Sequence, residues 1–225
     1  MSASHVLKPS QVNIHVAGTP TGHWWEAATR LAVLRSISSI PTHVGSKPIK
    51  KAAHQADAIR MDILLKEGGI YLDLDTISVR PVDELRGHEM VMGTENENAL
   101  CNAIIMAKPD STFLKTWWAR YEEAFNPHGW GEASVELPMQ LYRENVGAIA
   151  VQPHTAFFWP SWTQTSLIFT GATPPSSDLY ILHWWNTAAR PLIKDITPEW
   201  IADSQCMYAQ LCRPFLSLIE HPERQ

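Results

Sequence analysis

The chain has 225 residues, 45% of them hydrophobic and 18% charged, with a net charge of -5. That composition supplies a substantial core for a globular domain, and an acidic balance without basic clusters speaks against nucleic acid as a partner. No apolar run approaches the roughly 20 residues of a membrane helix, and Met1 to Ser10 lacks the apolar centre of a signal peptide, so the chain reads as soluble.

Taken in chain order, Val12 to Val16 reads as a short strand, and Gly18 to Gly22 carries turn chemistry. Trp24, Ala27, Ala28, Leu31, Leu34 and Ile37 fall at helical spacing and predict one helix that ends before Pro41. Thr42 to Pro48 reads as a connecting loop, with a position over a binding site as the alternative. Lys51 to Lys66 then reads as an amphipathic helix, with Ile59, Ile63 and Leu64 on one stripe and glycine at its C-terminal cap. Asp57 and Arg60, three residues apart, share a face of it.

After Gly68 and Gly69 comes a short apolar run, Ile70, Tyr71 and Leu72, that ends in Asp73 and Asp75. In an extended strand, side chains at i and i+2 point the same way. Two carboxylates leaving a strand end on one face make a seat for a divalent cation that takes hard oxygen ligands.

Downstream, Glu89 to Gly93 and Ala103 to Met106 predict two strands separated by the polar loop Thr94 to Asn98. Asp110 or Ser111 caps a helix running to about Phe125. Its stripe of Phe113, Leu114, Trp117, Trp118 and Tyr121 is assigned to the core. Asn126 to Gly131 is a turn, and Val135 to Glu144 is helical with Pro138 in its first turn. Val151 to Pro175, rich in Pro, Trp and Phe, predicts short extended pieces and turns. Trp159 and Trp162 are there either as packed residues or as a platform for the apolar face of a sugar. His183 falls on a strand within Ile181 to Asn186, and Pro198 to Leu218 predicts a helix begun by Thr197 and Pro198 and bent or ended near Pro214. Cys101, Cys206 and Cys212 have no metal-ligand spacing.

The pattern Asp57, Arg60, Gly68, Gly69, Ile70, Tyr71, Leu72, Asp73, Asp75 and Pro81 resembles the sugar-binding D-x-D region of the family 32 glycosyltransferases, a group with alpha-1,6-mannosyltransferases and alpha-1,4-galactosyltransferases among its members. Weaker similarity continues through Asn102, Lys108 and Pro109 to His183, Trp184, Trp185 and Asn186, similar to a closing H-x-W-N pattern. Trp130 to Val135 departs from the family pattern, as does the segment ahead of Ala56.

The resemblance implies an α/β fold, a single GT-A type nucleotide-diphospho-sugar transferase domain over residues 1–225, with its core at 50–190, a C-terminal helix at 197–220 and a truncated or divergent N-terminus. It implies transfer of a hexose from a UDP- or GDP-sugar donor to a glycan, glycolipid or protein acceptor, with retention of configuration and with Mn2+ or Mg2+ as cofactor. Asp73 and Asp75 are then the catalytic carboxylates. Asp57, Arg60, Tyr71, Asp73, Asn102 and His183 contact the donor, and Asp75 and His183 bind the metal. Glu95 and Glu97 are further candidates for the donor sugar. A Golgi lumen location is the family's, although the chain shows neither signal nor anchor. Two alternatives stand beside this reading. One is a haloacid-dehalogenase-like phosphatase using Asp73 as nucleophile, against which Thr76 lies one place too early for that motif and no glycine follows Asp75. The other is a catalytically silent nucleotide-sugar binder.

Overall fold

The computed structural model of the protein describes residues 1–220. Strands and helices follow in the order β1 (Asn13–Val16), α1 (His23–Thr29), β2 (Val33–Ser36), β3 (His43–Val44), β4 (Lys47–Pro48), α2 (Ala52–Glu67), β5 (Gly69–Leu72), β6 (Thr76–Ser78), β7 (Met90–Asn96), β8 (Ala99–Ala107), α3 (Thr112–Ala124), α4 (Leu137–Glu144), β9 (Ala150–Gln152), α5 (His154–Phe157), α6 (Ser166–Phe169), β10 (Ile181–His183), α7 (Asn186–Ile193), α8 (Pro198–Asp203), α9 (Met207–Cys212) and α10 (Ser217–Glu220). This is the mixed α/β architecture expected from the alternation in the sequence. The chain divides into two compact units, one formed by Ile40–Leu74 and Val82–Phe158, the other by Met1–Ser39, Asp75–Pro81 and the chain from Trp159 on.

The first of these units is built on a four-stranded sheet of order β5-β8-β7-β9. All nine residues of β8 are buried, as its run of Ala, Leu, Ile and Met dictates for a strand covered on both faces. β5 pairs antiparallel with β8 in the register Tyr71 to Ile105, and β9 runs parallel to β7. The polar loop expected at Thr94 to Asn98 is shorter than the sequence suggests, because β7 and β8 pair as far as Asn96 and Ala99. Two register shifts in β7 let Glu95 and Asn96 stay in the strand, as bulges do.

Helices α2 and α3 cover this sheet, with Met61, Leu64, Leu100, Ile105, Leu114, Trp117 and Tyr121 in one buried cluster. Of the two caps considered for α3, Ser111 serves, its side chain accepting from the Leu114 amide at 3.3 Å. α2 closes at Gly68, whose φ of 65° suits glycine and whose amide donates to the Leu64 carbonyl at 3.0 Å. Thr42 to Pro48 is a connector: β3 and β4 form a hairpin, and the Lys47 ammonium donates to the carbonyls of Glu123 and Phe125 at the end of α3.

In the second unit β1 pairs in parallel with β2, and β6 pairs antiparallel with β10, His183 standing opposite Thr76. The single helix predicted from Trp24 to Ile37 is therefore corrected. α1 stops at Thr29, and Val33 to Ser36 extend along β1 because a strand partner outweighs weak helical spacing. The extended pieces expected from Val151 to Pro175 are mostly helical turns, one of them fixed by a capping box between Ser161 and Gln164. The tail is three short helices rather than one. Cys206 caps α9, and Arg213 turns back to donate to the carbonyls of Ile201 and Ser204. Ile77, Ile168, Phe169, Leu179, Leu182, Ala189 and Met207 form this unit's buried cluster, with Trp159 packed against it. Trp162 stands 54% exposed. Among the described residues no helix is long and apolar enough to cross a membrane.

Candidate functional site

The residues proposed to bind a donor begin on α2. Three positions separate Asp57 from Arg60, so one turn of helix carries both to the face that packs on the sheet. Both are buried, and Arg60 Nη2 lies 3.3 Å from Asp57 Oδ1. The same Nη2 lies 3.2 Å from Asp73 Oδ1, just past the end of β5. The other guanidinium nitrogen, Nη1, donates to the backbone carbonyl of Asn102 on β8 at 2.5 Å. The guanidinium carbon stands 4.4 Å from the centre of the Tyr71 ring, a cation–π contact in a water-poor setting.

Tyr71 and Asn102 close this network. The Tyr71 hydroxyl donates to Asp73 Oδ1 at 2.6 Å, and the Asn102 side-chain amide donates to Asp57 Oδ1 at 2.7 Å. Tyr71 therefore packs its ring beside the core and turns its phenol toward Asp73. Asp57 also accepts from the Tyr121 hydroxyl through Oδ2 at 3.3 Å. Tyr121 is the member that sequence reasoning missed, having been assigned with its apolar neighbours to the core. The signal available was its phenol, the one hydroxyl in a stripe of Phe, Leu and Trp, since a buried phenol needs a partner.

Burial pulls the Arg60 pKa down, but the neighbouring Tyr71, Asp73 and Asp57 outweigh it and hold the guanidinium firmly charged. Burial raises the Tyr71 pKa and the Asp73 charge adds to it against Arg60, so the phenol remains a donor. The exposures grade outward. The side chains of Arg60 and Asp57 are 5% and 8% exposed, whereas that of Asp73 is 27% exposed. Asp73 is thus the edge of the network that meets solvent. Arg60 Nε is buried and has no hydrogen-bond partner among the described residues.

Asp75 belongs to the other unit, where it immediately precedes β6. The antiparallel pairing of β6 with β10 brings His183 beside it, with Nε2 3.2 Å from Asp75 Oδ2. The same oxygen accepts from the Asn186 amide at 2.8 Å, and the Asp75 carbonyl accepts from the Trp184 amide at 3.0 Å. Burial tends to raise the Asp75 pKa, but the hydrogen bond and charge of His183, with the Asn186 amide, outweigh it and hold the carboxyl below its ordinary value. The His183 ring packs at 4.2 Å, centroid to centroid, on Trp185. Trp185 itself has φ 59° and ψ 60°, a left-handed conformation that costs a bulky residue free energy. That turn is what lets Trp184 and Asn186 both aim their amides at Asp75, and the indole of Trp185 is tied down by donating to the Pro160 carbonyl at 2.8 Å.

Of the remaining candidates, Glu95 stands on β7, and Glu97 lies in the turn that follows it, where its carbonyl accepts from Arg143. The donor set at Asp75 and His183 suits a divalent metal. A carboxylate oxygen and an imidazole nitrogen 3.2 Å apart can both reach one cation at about 2.1 Å.

Residues 20–92 match the model of the glycosyltransferase sugar-binding region containing the DXD motif. The chain is 32% identical over 225 residues to Glucan organizing enzyme 1 of Cryptococcus neoformans var. grubii, covering 93% of this chain and 61% of that protein. It is 27% identical to the human alpha-1,4-N-acetylglucosaminyltransferase over 58% of this chain and 42% of that one. It is 38% identical to the initiation-specific alpha-1,6-mannosyltransferase of Candida albicans over 31% of this chain and 18% of that one. The chain thus spans less than two thirds of the length of each of these relatives. With its D-x-D step and the helix and glycine pair before it, the chain carries the DXD-containing sugar-binding region of glycosyltransferases, and along most of its length it is similar to the first of these relatives.

Proposed function

We propose that the chain transfers a hexose from a UDP- or GDP-sugar to a glycan, lipid or protein acceptor, with retention of configuration and with Mn2+ or Mg2+ bound. One observation carries the reading. Each carboxylate of the D-x-D step has its own fixed partner, Arg60 for Asp73 and His183 for Asp75. What sets these pairs apart from exposed ones such as Lys66 with Asp62 is burial, since the Arg60 and His183 side chains are only 5% and 8% exposed.

The chemistry demands this kind of preparation. As the sugar leaves, negative charge builds on the diphosphate, and groups arranged beforehand to meet it lower the barrier. Asp75 and His183 would hold the cation, which supplies that positive charge when bound. Asp73, held by Arg60, offers its exposed edge to ribose hydroxyls. Asp57 and Arg60, both buried, hold Asp73 from behind. Asn186 fixes the Asp75 carboxylate through its amide, and Trp185 fixes the imidazole plane. The named relatives favour transfer over the phosphatase and silent-binder alternatives.

Thermal unfolding with a panel of nucleoside diphosphates and their sugars, with and without manganese, tests the reading. The expected result is a metal-dependent rise in Tm with UDP or GDP, as binding to the folded state requires. A Tm indifferent to every member of the panel, at millimolar ligand and metal, would overturn it.

A further inference from the structure

Around Asp57 the structure has a second set of contacts that the proposed chemistry does not use. Tyr121 on α3 is 1% exposed, and its hydroxyl donates to Asp57 Oδ2 at 3.3 Å. Its ring is fixed by stacking near Phe125 (6.1 Å, 25°) and by a tilted contact with Trp118 at 5.3 Å. Asn102 holds the other carboxylate oxygen at 2.7 Å. Asp57 is therefore gripped at both oxygens by groups on elements other than its own helix.

We propose that Tyr121 is a positioning residue for donor recognition, acting through Asp57 and Arg60 on Asp73. The inference rests on the donor reading given above. Its logic is charge sharing. Arg60 Nη2 is divided almost evenly between two carboxylates, at 3.3 Å from Asp57 and 3.2 Å from Asp73. Such a balance is sensitive to anything that changes the demand of either carboxylate. The Tyr121 hydroxyl meets part of the demand of Asp57. Without it, Asp57 draws the guanidinium toward itself, because a buried carboxylate deprived of one donor recovers it from the nearest cation. Asp73 then loses part of its partner. As the exposed edge of the network, it loses the fixed orientation from which it meets the donor. Burial raises the Tyr121 pKa, with the Asp57 charge adding to it, so the phenol is a proton donor throughout the working range and this device is independent of pH.

Tyr121→Phe keeps the ring and its packing while deleting the hydroxyl. The expected result is a KM for the nucleotide-sugar donor raised roughly tenfold, with kcat changed less and with manganese affinity unchanged, the size following from loss of one hydrogen bond to a charged group. A merely structural role would lower Tm and leave that split alone. Asp57→Asn paired with Tyr121→Phe in a double-mutant cycle gives a second reading, in which the double variant should be little worse than Asp57→Asn by itself. An unaltered donor KM in folded Tyr121→Phe, or full additivity in the cycle, would overturn the proposal while wild-type turnover left the donor reading standing. A wild-type chain that neither binds nor turns over any donor would overturn both.

Discussion

His183 Nε2 lies 3.2 Å from Asp75 Oδ2, although more than a hundred residues separate them in the chain, and the Asn186 amide reaches the same oxygen at 2.8 Å. The pairing of β6 with β10 enforces this meeting. If these two side chains hold the cation, Asp75→Asn and His183→Ala should each abolish the manganese-dependent part of the Tm increase given by UDP or GDP. Circular dichroism should meanwhile show the fold retained. Normal manganese-dependent stabilisation in either folded variant would remove that residue from the metal site.

Arg60 is a buried cation between two carboxylates, and removing one partner from such a group typically costs about 3–5 kcal/mol. Because the Asp73 side chain keeps 27% exposure, Arg60→Met should fall toward the lower end, about 3 kcal/mol in urea denaturation. Donor binding should be lost with it. A loss of stability under about 1 kcal/mol would place the pair among weak surface interactions instead.

Asp75 gives a pH signature in metal-free protein. Its folded-state pKa is depressed, since His183 and the Asn186 amide outweigh its burial. A depressed carboxylate contributes its stability in full above the unfolded value, near 3.9, and loses it as pH falls through the lowered folded value. Acid unfolding of Asp75→Asn in EDTA should therefore be shallower than that of wild type below about pH 4. Parallel stability curves for the two proteins would contradict the assignment.

Gly68 ends α2 at a φ of 65°, and a Cβ there would meet Pro109 N at 2.5 Å, Pro109 Cδ at 2.6 Å and the Ala107 carbonyl at 2.9 Å. Backbone cannot give way as a side-chain tip can. Gly68→Ala should cost about 2 kcal/mol or more, combining a left-handed conformation with overpacking, and chemical denaturation will read it directly. A neutral substitution would show that the α2–β5 junction is looser than described.

The parts of the site that local sequence could reveal were those written in short spacings. Asp57 and Arg60 on one helical turn, the glycine cap, and the strand ending at Asp73 all follow from periodicity and turn chemistry. Tyr121 was hidden because helical spacing makes a phenol in an apolar stripe look like core, and only the tertiary contact with α2 reveals its partner. The segment Val33 to Ser36 was misread for a related reason. Its spacing fits a helix locally, while a strand elsewhere in the chain decides its state. The start of the tail at Thr197 and Pro198 was legible as a cap, but its division depends on a cap at Cys206 and on the reach of Arg213, which periodicity does not encode.

The most direct measurement of the central claim is release of nucleoside diphosphate from a UDP- or GDP-sugar by wild-type protein, with manganese and with EDTA, alongside Asp75→Asn. Water can serve as a slow acceptor in the absence of the natural one. The account predicts manganese-dependent release from wild type that EDTA abolishes and Asp75→Asn lacks. Release that continues equally in EDTA, or in Asp75→Asn, would contradict it.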